Sequence, residues 1–139
     1  MKKLIVFMFS IVLLGSCAKQ EQKKLQGLWT CQSINNGSVT EYFGLGSPMA
    51  YTLEFSDNLT WETKIWIEVQ GIDSTYNGVV GGGVGDYTFD NNEIILNSID
   101  SSQNIIGTFK FIDVILKRNE LRFNIRFNDS LINEYYFTK

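Results

Sequence analysis

The sequence predicts an all-β domain, an antiparallel up-and-down β-barrel of about eight or nine strands. Three observations predict it. Alanine occurs only at positions 18 and 50, while Ile, Val, Phe, Tyr, Trp and Thr dominate, so strand formers outweigh helix formers. Asn, Asp, Gly and Ser recur at short intervals and supply turns. Several segments alternate apolar and polar residues with a period of two, the mark of a half-buried strand. A meander of this size removes its two open edges by closing on itself.

The elements follow in order. Strands are expected near 28–34, 38–43, 49–56, 60–70, 86–90, 93–99, 105–117, 121–128 and 131–138. Trp29 and Cys31 share one face of the first and are expected to pack inward at the closed end. Tyr51, Leu53 and Phe55 form an inward row. Trp61, Thr63, Ile65, Ile67 and Val69 form another, opposite Glu62, Lys64, Trp66, Glu68 and Gln70. Leu121, Phe123, Ile125 and Phe127 alternate with Arg122, Asn124, Arg126 and Asn128. Turns fall at Ser56-Asp57-Asn58, Asn91-Asn92, 101–104, 117–120 and Asn128-Asp129-Ser130. Between 78 and 85 lie five glycines. No lysine occurs between Lys64 and Lys110, and no helix formers flank the run, so a phosphate loop is not expected. The expectation is a mobile hairpin loop over the barrel mouth. Trp66 interrupts a polar face and is expected to be covered by the 38–48 segment.

The N-terminal residues read as an address. Lys2 and Lys3 precede an apolar run from Leu4 to Leu14, too short for the ~20 residues of a spanning helix and typical of a secretory signal. Leu14-Gly15-Ser16-Cys17 resembles the bacterial lipobox. By that resemblance, 1–16 is a signal peptide removed before Cys17, and Cys17 carries lipid. Two or more acyl chains hold a protein stably at a membrane. Residues 17–26 form a lipidated tether, polar and too short to pack, with one helical turn near Leu25. Ala18 rather than Asp follows the cysteine, which favours the outer membrane of the cell envelope. Cys31 is then the remaining thiol, expected as a buried apolar side chain.

Gly27-Leu28-Trp29 heads the first strand of the 27–139 domain, Gly85-Asp86-Tyr87 opens a later strand, and Phe137-Thr138-Lys139 closes the last. This order resembles the lipocalin-like domain of bacterial lipoproteins. The resemblance implies a small barrel in which Gly27 and Trp29 are structural.

Composition excludes several functions. With 12 basic and 15 acidic residues the net charge is −3, so the attraction to phosphate behind nucleic-acid binding is missing. No histidine is present, which removes His-based nucleophiles and metal sites. No nucleophile–base pair is recognisable, and no cofactor or metal is implied. Asp86, Asp90, Asn92 and Glu93 do not follow a calcium-loop order and read as a turn. Charge is uneven: residues 25–109 hold one basic and ten acidic residues (−9), and 110–139 hold six and four (+2). The functional expectation is a non-enzymatic binding protein. A small apolar or amphipathic ligand would sit in a barrel interior lined by Phe55, Trp61, Tyr87, Phe111 and Phe123. The alternative is a structural or interaction module of an envelope complex, with Trp66 or Arg122 and Arg126 facing a protein partner, Arg122 and Arg126 otherwise pairing with outward carboxylates such as Glu134.

Overall fold

The computed structural model describes residues 20–44, 49–90, 92–126 and 132–139. The Leu4–Leu14 run, the Cys17 motif, Asn91, Phe127 and the 128–130 turn lie outside the described residues. Eight strands form the barrel: β1 (Gly27–Ile34), β2 (Met49–Phe55), β3 (Thr60–Gln70), β4 (Thr75–Asp90), β5 (Glu93–Ile99), β6 (Ile105–Leu116), β7 (Glu120–Arg126) and β8 (Ile132–Thr138). Each pairs antiparallel with its neighbour in sequence, and β8 returns to β1, so the sheet has no free edge. The closing seam sets Thr30 opposite Thr138 and Cys31 opposite Phe137, then shifts register before Ser33.

Alternation places the core. Trp29 and Cys31 on β1, Leu53 and Phe55 on β2, Leu121 and Phe123 on β7, and Tyr135 and Phe137 on β8 are all buried at a spacing of two. Arg122 and Arg126 are exposed between them. Arg122 lies with its guanidinium 4.5 Å from the centre of the Tyr136 ring, its cross-strand partner, and no ion pair joins it to Glu134.

One end of the barrel is sealed. Residues 20–25 are helical (α1), and Leu25 is fully buried, so the end of the expected tether packs as a plug. Trp29, also fully buried, donates its indole N–H to the Leu25 carbonyl at 2.6 Å. The Lys139 ammonium donates to the carbonyls of Lys24 and Gln26 at 2.7 and 2.6 Å and stands 4.4 Å from the centre of the Trp29 ring. Phe55 and Tyr87 meet edge-on beside this plug, 4.9 Å between ring centres.

Three expectations are corrected. Residues 38–43 are not a strand: Val39–Phe43 form a short helix, α2. Ser38 caps it, accepting from the Glu41 amide while the Glu41 carboxylate accepts from the Ser38 amide, and Gly44 ends it in the left-handed region (φ 65°). The glycine run is not a mobile loop but the middle of β4, paired with β3 on both sides of a register shift at Val80. Trp66 is not covered. It remains 39% exposed beside Ala50 and Val79, its partners on the flanking strands.

Candidate functional site

The interior is filled at the plugged end and hollow at the other, and β4 explains why. Its burial alternates, so the interior positions beyond Tyr87 are Gly85, Gly83, Gly81 and, past a shift in register, Gly78. Four consecutive inward positions therefore carry no side chain. On Gly85 a methyl group would collide with the Asn97 carbonyl oxygen and come within 2.8 Å of the Trp61 indole nitrogen. On Gly83 it would meet the far edge of the same indole at 3.0 Å. Trp61 thus lays its ring across the bare strand and donates its N–H to the Asn97 carbonyl at 3.2 Å.

The strand order puts β8 diametrically across the barrel from β4. That side is a wall of aromatic rings. Phe111 and Phe123 stack face to face, 3.9 Å between centres and 2° between planes. Tyr135 and Phe137 lie nearly parallel to Phe123, at 16° and 19°. Tyr51 meets Phe137 edge-on. Above this ring cluster lies a cavity of about 450 Å³, within the size range of small-ligand sites, with Tyr51, Phe109, Phe111 and Tyr135 on one side and Gly82 and Gly83 on the other.

Helix α2 forms the roof. Tyr42 and Phe43 pack edge to face at 5.2 Å and line the cavity from above. They are 40% and 36% exposed, and Phe109 on the rim is 49% exposed, so the cavity reaches solvent at this end. The roof is held by buried Asn133. Its amide donates to the Tyr42 hydroxyl at 2.5 Å and accepts from Asn35 at 2.8 Å, and Asn35 in turn accepts from the Glu134 amide at 2.9 Å.

The remaining lining comes from Thr63, Ile65, Leu96, Ser98 and Ile125. Thr63 accepts from the Gly83 amide at 3.0 Å. No charged side chain lines the cavity among the described residues. Its polar groups gather on one side, where the hydroxyls of Tyr42, Tyr51 and Tyr135 come together. Burial pushes Tyr51 and Tyr135 above the ordinary tyrosine range, and the Tyr42 hydroxyl adds to the effect on Tyr135. Tyr51 and Tyr135 are therefore neutral hydroxyls at any physiological pH. Cys31 is buried, and burial pushes its thiol up to about 12, against a weaker opposing contact with the Ser33 backbone. It is an inert core side chain, not a nucleophile.

Comparison with protein-family models, with curated proteins and with solved structures finds no match.

Of the five expected interior residues, Trp61 and Phe111 line the cavity. Phe55, Tyr87 and Phe123 also point inward and are buried, but they fill the core beneath and beside it. Tyr87 donates to the Ser56 carbonyl at 3.2 Å and so stitches the plugged end. Gly27 sits at the start of β1 with φ 115°, a conformation open to glycine, and Trp29 anchors α1. Sequence reasoning missed Tyr42, Phe43 and the glycine wall. The Ser38-x-x-Glu41 capping signature was the signal for the first two, and the alternate spacing of Gly81, Gly83 and Gly85 for the third. Chemically, this arrangement can desolvate an apolar body and offer it neutral hydrogen-bonding partners. Among the described residues that line it there is no acid–base pair.

Proposed function

We propose that the chain is a lipid-anchored, lipocalin-like binding protein of the bacterial cell envelope that holds a small apolar or amphipathic ligand in its barrel. The observation that carries the reading is the cavity of about 450 Å³ bounded by Gly82 and Gly83 of β4 on one side and by Phe109, Phe111 and Tyr135 of β6 and β8 on the other. A barrel of eight strands can fill itself with side chains. Here the β4 backbone at Gly82 and Gly83 leaves part of the interior open instead. The lipobox resemblance at Leu14 to Cys17 supports attachment through Cys17, and Ala18 supports the outer membrane. Native mass spectrometry of the protein purified from its membrane tests the reading. A bound small molecule released by unfolding is expected, and a ligand-free protein that also ignores added apolar probes overturns it. Cys17→Ser should abolish metabolic palmitate labelling, and persistent labelling would remove the anchor.

A second reading, a structural or protein-interaction module of an envelope complex, draws on the outer face of β3 and β4. Trp66, Val79 and Val84 are 39%, 44% and 48% exposed there. Crosslinking in membranes tests it. Recovery of monomer alone, unaltered by Trp66→Ser, counts against that module.

A further inference from the structure

The two ends of the barrel are not alike, and the chain enters at one of them. β1 begins at the sealed end, so the up-and-down order puts the 56–59 and 117–119 turns there too. The 71–74 and 101–104 turns stand at the opposite end, with α2 and the mouth. Helix α1 is fastened to the sealed end at several points. Leu25 is fully buried, Trp29 donates its indole N–H to the Leu25 carbonyl, and the Lys139 ammonium donates to the carbonyls of Lys24 and Gln26. Nearer the start of α1, the Gln22 side chain hydrogen-bonds to Tyr87.

Length then limits what Cys17 can reach. From Cys17 to Gln20, the first residue of α1, the chain spans at most about 11 Å whatever its path. The 11 residues of β3 cover about 36 Å along the strand, and about 25–30 Å along the axis of a barrel whose strands tilt by about 35–45°. The mouth lies about that far from the plug. A protein anchored at Cys17 cannot turn its mouth to the bilayer unless α1 first leaves the barrel. Charge favours the same stance. Glu41, Asp73 and Asp100 stand at the mouth end, where Arg126 is the one basic side chain among the described residues. The 45–48 and 127–131 segments contain no Lys or Arg. On α1, exposed Lys23 and Lys24 outnumber Glu21. An anionic membrane surface therefore repels the mouth end and attracts α1.

We propose that α1 is an orienting clamp as well as a plug. It holds the lipidated end against the sealed face, so the barrel stands on its anchoring bilayer with the mouth turned to the aqueous side. What enters the cavity then arrives from the aqueous phase. It does not slide in from the bilayer that holds the anchor. This inference rests on the lipid-anchor reading above and adds to it the direction in which the site faces.

The test adds the purified lipidated protein to preformed vesicles of phosphatidylethanolamine and phosphatidylglycerol that carry a nitroxide-headgroup lipid. Asp57→Cys, in a turn of the sealed end, and Ile72→Cys, at the tip of the β3–β4 hairpin, each place a thiol at an exposed position. Cys31 is buried and Cys17 acylated, so a maleimide dye or biotin reacts at the new thiol. Dye quenching at position 57 is expected to exceed that at position 72 by at least about threefold, because the two ends stand about 25–30 Å apart. Streptavidin should capture biotin at 72 and not at 57. A flexible insert of about 12 Gly and Ser residues between Ala18 and Lys19, with an r.m.s. span of about 20 Å, should erase the contrast without touching the barrel. Equal quenching in the native chain, or stronger quenching at 72, overturns the stance and leaves the anchor in place. A contrast that survives the insert overturns the clamp as its cause. Cys17→Ser protein that floats with the vesicles as well as the native chain does overturns the anchor reading itself.

Discussion

At the scale of single residues, Trp29 carries the most consequence. Its ring is fully buried, its N–H is spent on the Leu25 carbonyl, and Lys139 covers its outer face. Trp29→Ala should therefore cost about 3–5 kcal/mol, read as a fall in urea midpoint at constant m-value. A loss under about 1 kcal/mol would mean that α1 and Trp29 do not seal the barrel. The buried titratable groups predict the alkaline limb. Cys31, Tyr51, Tyr87 and Tyr135 all have folded values raised by burial. Each is a group whose neutral form the fold prefers. Their contribution is fully present below the ordinary thiol and phenol values of 9.0 and 10.0, where both states are protonated. It declines as pH rises beyond those values, because the unfolded chain ionises first and gains. Stability should be flat in pH between neutral and about 9, then fall. Absorbance at 295 nm should show some tyrosines ionising only as the barrel opens. Complete, reversible titration near 10 in the folded protein would contradict their burial.

At the scale of elements, β4 makes the sharpest prediction, because its glycines are not equivalent. A methyl on Gly81 would touch only Ile65 Cδ1, at 3.8 Å, an ordinary contact. Gly81→Ala should be neutral or stabilising by up to about 1 kcal/mol through the unfolded state. Gly85→Ala forces the β5 backbone and Trp61 aside and should destabilise by about 1–3 kcal/mol. Equal effects at the two positions would show that the collision at Gly85 is relieved at no cost. Helix α2 has its own pH dependence. Hydrogen bonds to Ser38 hold the exposed Glu41 carboxyl below its ordinary 4.5. A lowered carboxyl stabilises above that value and loses its contribution as pH falls through the folded one. Amide exchange in 39–43 should quicken, relative to the strands, only below about pH 4.5. The same two elements mark the limit of what the sequence disclosed. The strands near Leu53, Trp61 and Phe123 were legible because one face is buried and one wet, which writes itself as alternation. Val39-Thr40-Glu41-Tyr42-Phe43 has strand composition, yet its caps make it a helix, so local hydrogen bonding outweighed propensity. Glycine disfavours strands in general, and β4 accepts it because the interior needs the room. The cavity was half legible for the same reason. Trp61 and Phe111 announce themselves as apolar positions of correct parity, but a wall made of missing side chains leaves no apolar signal to read.

At the scale of the molecule, the uneven charge of the chain becomes a two-sided barrel. The acidic stretch supplies β1–β5 and the basic stretch supplies β6–β8, with the Glu93–Lys110 pair (2.8 Å) at the β5–β6 boundary. The three ion pairs among the described residues are all solvent-exposed, so they add little to stability. The strength of the fold lies instead in closure, and closure has an order. Seven of the eight seams join strands adjacent in sequence; only β1–β8 joins the two ends, pairing Thr30 with Thr138. Hairpin seams form over short loops, whereas the last seam must confine most of the domain before it gains any contact. The transition state for folding should therefore hold the β2–β7 hairpins largely formed and the β1–β8 seam open. Phe137, fully buried and opposite Cys31 across that seam, reports on it. Phe137→Ala should lower stability by about 3–5 kcal/mol almost entirely through faster unfolding, a φ-value below about 0.3. Leu96, buried in the β5–β6 hairpin, should give a clearly higher value when cut to alanine. Stopped-flow chevrons on the two variants decide the order. If Phe137→Ala slows folding as much as Leu96→Ala does, the ends meet before the hairpins are made, and the barrel closes by collapse of the whole chain rather than by zipping from its middle.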